Sequence, residues 1–446
     1  MLTEFSVSNF KSIKDLTLPM RQFMVLVGPN GAGKTNVIHA LDLLGEIIVR
    51  GTTDPAREQG WDQIVRRGKK PARGGLRLSA TIPIPGRYLT PHHGGLRQPS
   101  LSRNAIEVVL TARLELSGSV ASEDVRVQDE EITLERDKSR FVVRISGDRY
   151  SVTPGTDTEL WSIAAGLLVA GSRRVRQQRL ESEEQVRAVF MEFFEERSLE
   201  QETRRRFLRL INLQRFFSPA LEHVAESCTV TRVRLDSLAL RAESSPKQLR
   251  SGVELGPHGE GLAATVDRLK AEKEAGFGRV LAALQSVYPR IEDVRPQRIQ
   301  ADRLTLLFKE KGIADPLEQA SISDGVLHAL ALLVMLESHA KGVLAIEEPE
   351  NAIHPWSIRA MVGHAQEHLG RQLILTTHSE TVVNAVKDAR SLYIVEHVDE
   401  HGTTIQNAAD KEQALDAILK ESGQRLGEVW LSGALGGVPI SEPDVE

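Results

Sequence analysis

The chain has 446 residues, which allows two to three domains of ordinary size or one large domain with insertions. Hydrophobic residues make up 41% and charged residues 26%, and 56 basic against 61 acidic side chains leave a net charge of −5. That balance is ordinary for a globular protein and does not mark a nucleic-acid binder, although a local basic face stays open. The single cysteine, Cys228, excludes an internal disulfide and a cysteine-held zinc, and it suits the cytoplasm.

No basic segment followed by an apolar core opens the chain, so no signal peptide is expected. The longest apolar stretches, such as Gly325 to Leu336, fall short of the roughly 18 residues of a membrane span, so no membrane association is expected. Alternation predicts strands from Leu2 to Val7 and around Leu16 and Leu18. The apolar run Phe23 to Val27 then enters GPNGAGKT, and Val37, Ile38, Leu41, Leu44, Ile47 and Ile48 recur at helical spacing. Residues 23–48 therefore read as buried strand, glycine-rich turn and helix.

Residues 51–104, rich in Gly, Pro, Arg and His, read as a surface loop between strands, with His92 and His93 on its surface. Period-two runs over 105–147 predict an antiparallel set. Helical periodicity starts near Thr158 and covers an arginine-rich stretch. Residues 173–215 hold eleven Arg against eight Glu, which fits a solvated helical face or a weak, sequence-independent DNA surface. A short strand TVTRVRLD follows, then helices near 260–288 and strands in RPQRI and LTLLFKE. The remainder alternates: helix 325–338, strand 342–347, helix 356–369, strand 372–376, helix 380–386 and strand 391–396.

Four motifs carry chemistry. Gly28-Pro29-Asn30-Gly31-Ala32-Gly33-Lys34-Thr35 fits G-x-x-x-x-G-K-[ST] between a strand and a helix. Its backbone N–H groups, from Asn30 through Thr35, can cradle phosphate. Lys34 can reach the β- and γ-phosphates, and Thr35 can offer a hydroxyl to Mg²⁺. Val343 to Ile346 form an apolar strand that ends in Glu347-Glu348, one carboxylate for Mg²⁺ and one to activate water. Gln372 to Ser379 form a strand ending in His378, which can donate to a γ-phosphate. Ser323-Asp324-Gly325 open an apolar helix, either as a cap or as an anion site at the helix N-terminus.

In this order the motifs resemble the Walker A, signature, Walker B and switch histidine of ABC ATPases. By that resemblance the signature of one head covers the γ-phosphate held by another, so the site is completed in a dimer. Ser323-Asp324-Gly325 stands where the family shows Ser-Gly-Gly, and Glu347 where it shows aspartate. Glu348 matches the catalytic glutamate, His378 the switch histidine, and Asn351-Ala352-Ile353-His354-Pro355 the dimer-contacting loop. Gln63 is a candidate for the glutamine loop. Lys34 and Ser323 are 289 residues apart, much further than in transporter ATPases. The opening FSVSNFKSIKDL and the phrases ELGPHGEGLAATVDRL, AIEEPENAIHP, LTTHSETVVNA and LGEVWLSGALGG resemble stand-alone ATPases of the RecF/SMC/OLD group, of the AAA_21 type.

The resemblance implies an α/β P-loop ABC-type head, with a mixed sheet, an antiparallel β subdomain and an α-helical insertion. The expected divisions are an N-terminal ATPase lobe at 1–150, a mainly helical insertion at 151–290 and a C-terminal ATPase lobe at 291–446. ATP and Mg²⁺ are the expected cofactors, and a homodimer or higher oligomer through the ATP sites is the expected assembly. The stretch after Glu396 is too short for a Toprim nuclease, so an effector partner, a nuclease or toxin, is expected. The implied role is ATPase or sensor subunit of a phage-defence or DNA-maintenance system. A RecF-like repair ATPase that loads factors on DNA, and a scaffold stapled by ATP, are the alternatives.

Overall fold

A computed structural model describes residues 1–66, 75–89, 107–119, 124–146, 149–153, 157, 160, 163–164, 219–245, 255–272, 274–300, 303–337, 341–351, 353–367, 370–411, 425–433 and 436. In chain order it contains β1 (Glu4–Phe10), β2 (Ile13–Pro19), β3 (Phe23–Val27), α1 (Lys34–Arg50), the short helices α2 (Asp54–Glu58) and α3 (Trp61–Ile64), and β4 (Leu76–Pro85). Next come β5 (Glu107–Ser119), β6 (Asp124–Arg136), β7 (Ser139–Ser146), β8 (Arg149–Thr153), α4 (Pro219–Cys228), β9 (Val230–Val233) and α5 (Ser237–Arg241). Then follow α6 (Leu262–Glu272), α7 (Glu274–Val287), β10 (Ile291–Gln300), β11 (Arg303–Glu310), β12 (Leu317–Glu318), α8 (Asp324–Glu337) and β13 (Val343–Glu347). The last elements are α9 (Pro355–Glu367), β14 (Gln372–Thr377), α10 (Glu380–Asn384), β15 (Leu392–Val398), β16 (Gly402–Asn407) and α11 (Leu426–Leu431).

Two compact units divide the chain. One holds Met1–Arg21, Asn36–Val230 and Val398–Thr403; the other holds Gln22–Thr35, Thr231–His397 and Thr404–Glu446. The first is built on antiparallel strands in the order β8-β7-β6-β5-β4-β1-β2. Alternation puts Leu76, Leu78, Ala80, Ile82 and Ile84 of β4 on one face, opposite Leu116, Leu114, Ala112, Leu110 and Val108 of β5. All ten are buried, so one apolar face fixes the register.

Strand β4 corrects the expectation of a loop over 51–104, as do α2 and α3, which bury Ala56 and Ile64. Pro83 and Pro85 obscured the alternation. Pairing with β1 stops at Thr81, so both prolines lie where β4 is bonded only on its β5 side and a missing N–H costs no ladder bond there. His92 and His93 lie outside the described residues, as do Arg173 to Arg215.

In the second unit β15, β3, β14 and β13 run parallel in that order, and β9 follows β13. All five residues of β3 are buried, as a central parallel strand requires. The apolar core also takes in α6, α7, α9 and α8. Every residue of α8 from Val326 to Glu337 is buried, which explains a helix that is apolar all round. Its last residue, Glu337, is buried as an ion pair with Arg279 at 2.7 Å. A small antiparallel sheet, β10-β11-β12, completes this unit.

Candidate nucleotide site

Parallel β3 delivers the chain into the glycine loop. A Cβ on Gly28 would lie 2.2 Å from the Val395 carbonyl oxygen on β15, so only glycine fits there. Gly31 and Gly33 take φ of +83° and +103°, the left-handed region that glycine enters without a Cβ clash. Asn30 and Gly31 are exposed, and Ala32 is buried and donates its N–H to Pro29 at 3.3 Å. Lys34, the first residue of α1, is buried, and its Nζ donates to the carbonyls of Gly28 at 2.6 Å and Pro29 at 3.0 Å. Burial pushes the ammonium pKa down, and the carboxylates of Glu348 and Glu350 pull it back up. The loop thus curls around a buried cation whose partners are neutral carbonyls, a setting that fits phosphate oxygens.

Parallel pairing aligns the ends of the neighbouring strands. Thr35 Oγ1 donates to Glu347 Oε2 at 2.8 Å. Next to Glu347, Glu348 has φ +50°, a left-handed conformation uncommon for this residue type, and its N–H donates to Thr376 of β14 at 2.9 Å. Its carboxylate accepts from Asn351 Nδ2 at 3.1 Å and lies 3.6 Å from His378 Nδ1. Glu350 accepts from Thr377 Oγ1 at 2.6 Å and from the His378 N–H at 3.2 Å, which holds the histidine at the end of β14. The second Glu350 oxygen is buried with no hydrogen-bond partner, so a polar group is left for a ligand or water to satisfy. Among the described residues no three His, Cys, Asp or Glu side chains form an all-protein metal site. A hydroxyl and one carboxylate suit Mg²⁺, which commonly takes its other ligands from water and phosphates.

The sequence groups Glu350 with Glu347 and Glu348 in one acidic cluster but gives it no role, and it does not point to Arg232, Arg234 or Arg241. Glu350 braces the histidine. Arg232, on β9, lies 3.9 Å from Glu347, and Arg234, two residues on, lies 3.7 Å from Glu348. Arg241, at the end of α5, pairs with Asp324 at 2.6 Å. The only signal for Arg232 and Arg234 was their period-two spacing in and beside a short strand; nothing in the sequence points Arg241 at residue 324. Ser323, Asp324 and Gly325 open α8, with Ser323 exposed and its carbonyl accepting from Val326 and Leu327. Hydrogen bonding from Arg241 holds the Asp324 carboxyl below its ordinary value. Asn351 donates its N–H to Glu348, Ile353 is buried, and Pro355 starts α9; Ala352 lies outside the described residues. Gln63, in the other unit, is exposed and donates to its neighbour Asp62 at 3.0 Å.

Residues 130–384, more than half of the chain, match the family model described as "AAA domain, putative AbiEii toxin, Type IV TA system". The chain belongs to the AAA_21 family. Residues 1–47 of this AAA_21 protein also match the model described as "AAA ATPase domain". A 48-residue stretch is 46% identical to an OLD nuclease of Thermus scotoductus, covering 10% of this chain and 9% of that protein. The chain thus spans under a tenth of the length of the curated relative it matches. It is also similar to the SMC head domain of Thermotoga maritima, at 10% identity, TM-score 0.39, and coverage of 91% of this chain and 98% of that one. A second similar structure is the Smc head domain with an extended coiled coil bound to the C-terminal domain of ScpA, derived from Pyrococcus furiosus. There the values are 13% identity, TM-score 0.43, and coverage of 94% and 99%. Both family models place the AAA_21 chain among AAA ATPase domains, and its fold is mixed α/β with a separate small antiparallel sheet. No helix among its described residues is long and apolar enough to cross a membrane.

Proposed function

We propose that this protein binds Mg²⁺-ATP on the Gly28–Thr35 loop and hydrolyses it between two copies of the chain. The observation that carries this reading is the gathering of Lys34, Thr35, Glu347, Glu348 and His378 at the ends of neighbouring parallel strands. Asn30 to Thr35 cradle the phosphates, and Lys34 exchanges its two carbonyl partners for β- and γ-phosphate oxygens. Thr35 and Glu347 would hold Mg²⁺, which would neutralise phosphate charge. Glu348 takes the proton of the attacking water, and His378 donates to the γ-phosphate. Ser323, Asp324 and Gly325 of the second copy close the site over that phosphate.

The functional divisions we propose are 1–150, 151–290 and 291–446: an N-terminal ATPase lobe, an insertion and a C-terminal ATPase lobe. Closing and reopening two heads changes shape, and shape matters only to something that reads it. We therefore assign the protein a cytoplasmic role as the ATPase or sensor subunit of a defence or DNA-maintenance system, with a nuclease or toxin as its effector. The family description names a toxin of a toxin–antitoxin system and the matched relative is a nuclease; both suit that pairing. Direct contact with DNA would be weak and independent of sequence.

Phosphate release from Mg²⁺-ATP by the purified chain tests the core of this reading. Lys34→Ala is expected to lose both ATP binding and turnover, because the buried cation and its phosphate partners are lost together. A parent chain that binds ATP without turnover would be a nucleotide-stapled scaffold. A Lys34→Ala variant with parental activity would remove the loop from the site.

A further inference from the structure

Asp324 stands at the N-terminus of α8, where the motif it resembles has glycine. A carboxylate facing a terminal phosphate repels it. Arg241 answers that charge from 83 residues away. Its Nη2 and Nε both donate to Asp324 Oδ1, at 2.6 and 3.1 Å, and its Nη1 donates to the Ala320 carbonyl. Isolated surface pairs of this kind contribute little, because two long side chains must be ordered in water. Here both ends are already held.

Gln319, fully buried, donates to the carbonyls of Leu240 and Ala242 on either side of Arg241 and accepts from the Leu306 N–H at 3.0 Å. The backbone on both sides of the arginine is therefore tied to the residue five positions before Asp324. At the start of α5, Asp236 accepts from the N–H groups of Leu238 and Ala239. The N–H groups of Arg234 and Asp236 in turn donate to the carbonyls of Pro257 and His258, at 2.8 and 2.9 Å. That turn needs glycine: Gly259 has φ +101°, and a Cβ there would lie 2.4 Å from Leu240 Cδ2. The phrase Pro257-His258-Gly259-Glu260 is thereby accounted for as the seat of the segment that carries Arg241.

We propose that Arg241 is a positioning residue of the ATP site, which neutralises Asp324 so that the N-terminus of α8 can accept the terminal phosphate of a nucleotide held by a second copy of the chain. The inference rests on the shared-site reading above. With Arg241 in place the pair carries no net charge, and the N–H groups and dipole of α8 set the local field. Without it, a bare carboxylate meets the phosphate.

The test is a charge-suppression cycle on the full chain, with fluorescent ATP binding to the dilute protein, steady-state turnover at saturating Mg²⁺-ATP and thermal melts for every variant. Arg241→Ala should bind ATP as the parent does and lose about tenfold to hundredfold in kcat. Arg241→Lys should retain most of the rate. The double variant Arg241→Ala/Asp324→Asn should recover to within about threefold of Asp324→Asn alone, because the charge that needed neutralising is gone. A merely structural arginine would show its loss and its rescue in the thermal melts, whereas here kcat should fall and recover in variants that melt as the parent does. Parental turnover in Arg241→Ala, or a deficit that persists in a folded double variant, overturns the proposal. Failure of the shared site itself would appear earlier, as a parent chain without turnover or without ATP-dependent association, and would remove the proposal with it.

Discussion

Glu348 is held at φ +50° by its own N–H bond to Thr376 and by the Asn351 side chain. Such a conformation costs about 1–3 kcal/mol for a residue of this type, and it persists only where the surroundings hold it in place. The Glu348 carboxylate lies 3.6 Å from His378 Nδ1. Glu348→Gln preserves size and leaves an oxygen to accept from Asn351, but it cannot take a proton from water. Turnover should therefore fall by about 10²- to 10⁴-fold while ATP binding stays. ATP-bound pairs should accumulate, which light scattering with Mg²⁺-ATP would detect as a doubled mass. An unchanged monomer mass would rule out closure of two heads by ATP.

At the scale of elements, α4 is docked on β4 by a titratable contact. His223 stacks on Tyr88 with centroids 4.5 Å apart, and its Nε2 lies 3.3 Å from the Pro83 carbonyl. Burial holds the imidazole pKa below its ordinary 6.5, the Met1 amine lowers it further, and the Pro83 carbonyl acts the other way. The unfolded chain thus binds this proton more readily than the folded one. The contribution to stability is fully present above pH 6.5 and is lost as pH falls from there through the depressed folded value. Thermal melts from pH 8 to about pH 5 should show a flatter acid limb for His223→Phe, which can still stack but cannot charge. Parallel curves for parent and variant would mean that the imidazole is not under strain. On the same helix Cys228 is buried with its thiol pushed up to about 12, so it is a packing residue with no thiolate to offer.

Assembly belongs to the whole molecule, and the proposed shared site makes a specific demand on it. Ser323→Arg places a bulky cation at the start of α8 and should spare ATP binding to one head while blocking hydrolysis. Lys34→Ala should do the reverse, removing binding while leaving α8 intact. A 1:1 mixture then forms pairs in which one composite site has two intact halves and the other has two damaged ones. Partial turnover should return on mixing, and none should appear in either variant alone. Persistent inactivity, in heads shown by mass to have exchanged, would place the complete site within one chain.

Consecutive residues by themselves determined the glycine-rich turn between strand and helix, because Gly28 to Thr35 impose their turn locally and the flanking apolar runs declare strand and helix. The strands ending in Glu347 and His378 were legible for the same reason: buried parallel strands leave short apolar runs. Two prolines hid β4, since whether a missing N–H matters depends on where the neighbouring strand stops. Tertiary structure alone decided that β3 lies between β14 and β15, which brings residue 34 beside residues 347 to 350. It alone placed Arg232, Arg234 and Arg241 on Glu347, Glu348 and Asp324, and Glu350 under His378. Burial and helix or strand formation repeat along the chain and leave a period. A charge pair 83 residues apart leaves none, because Coulomb attraction depends on distance in space and the chain records only distance in sequence.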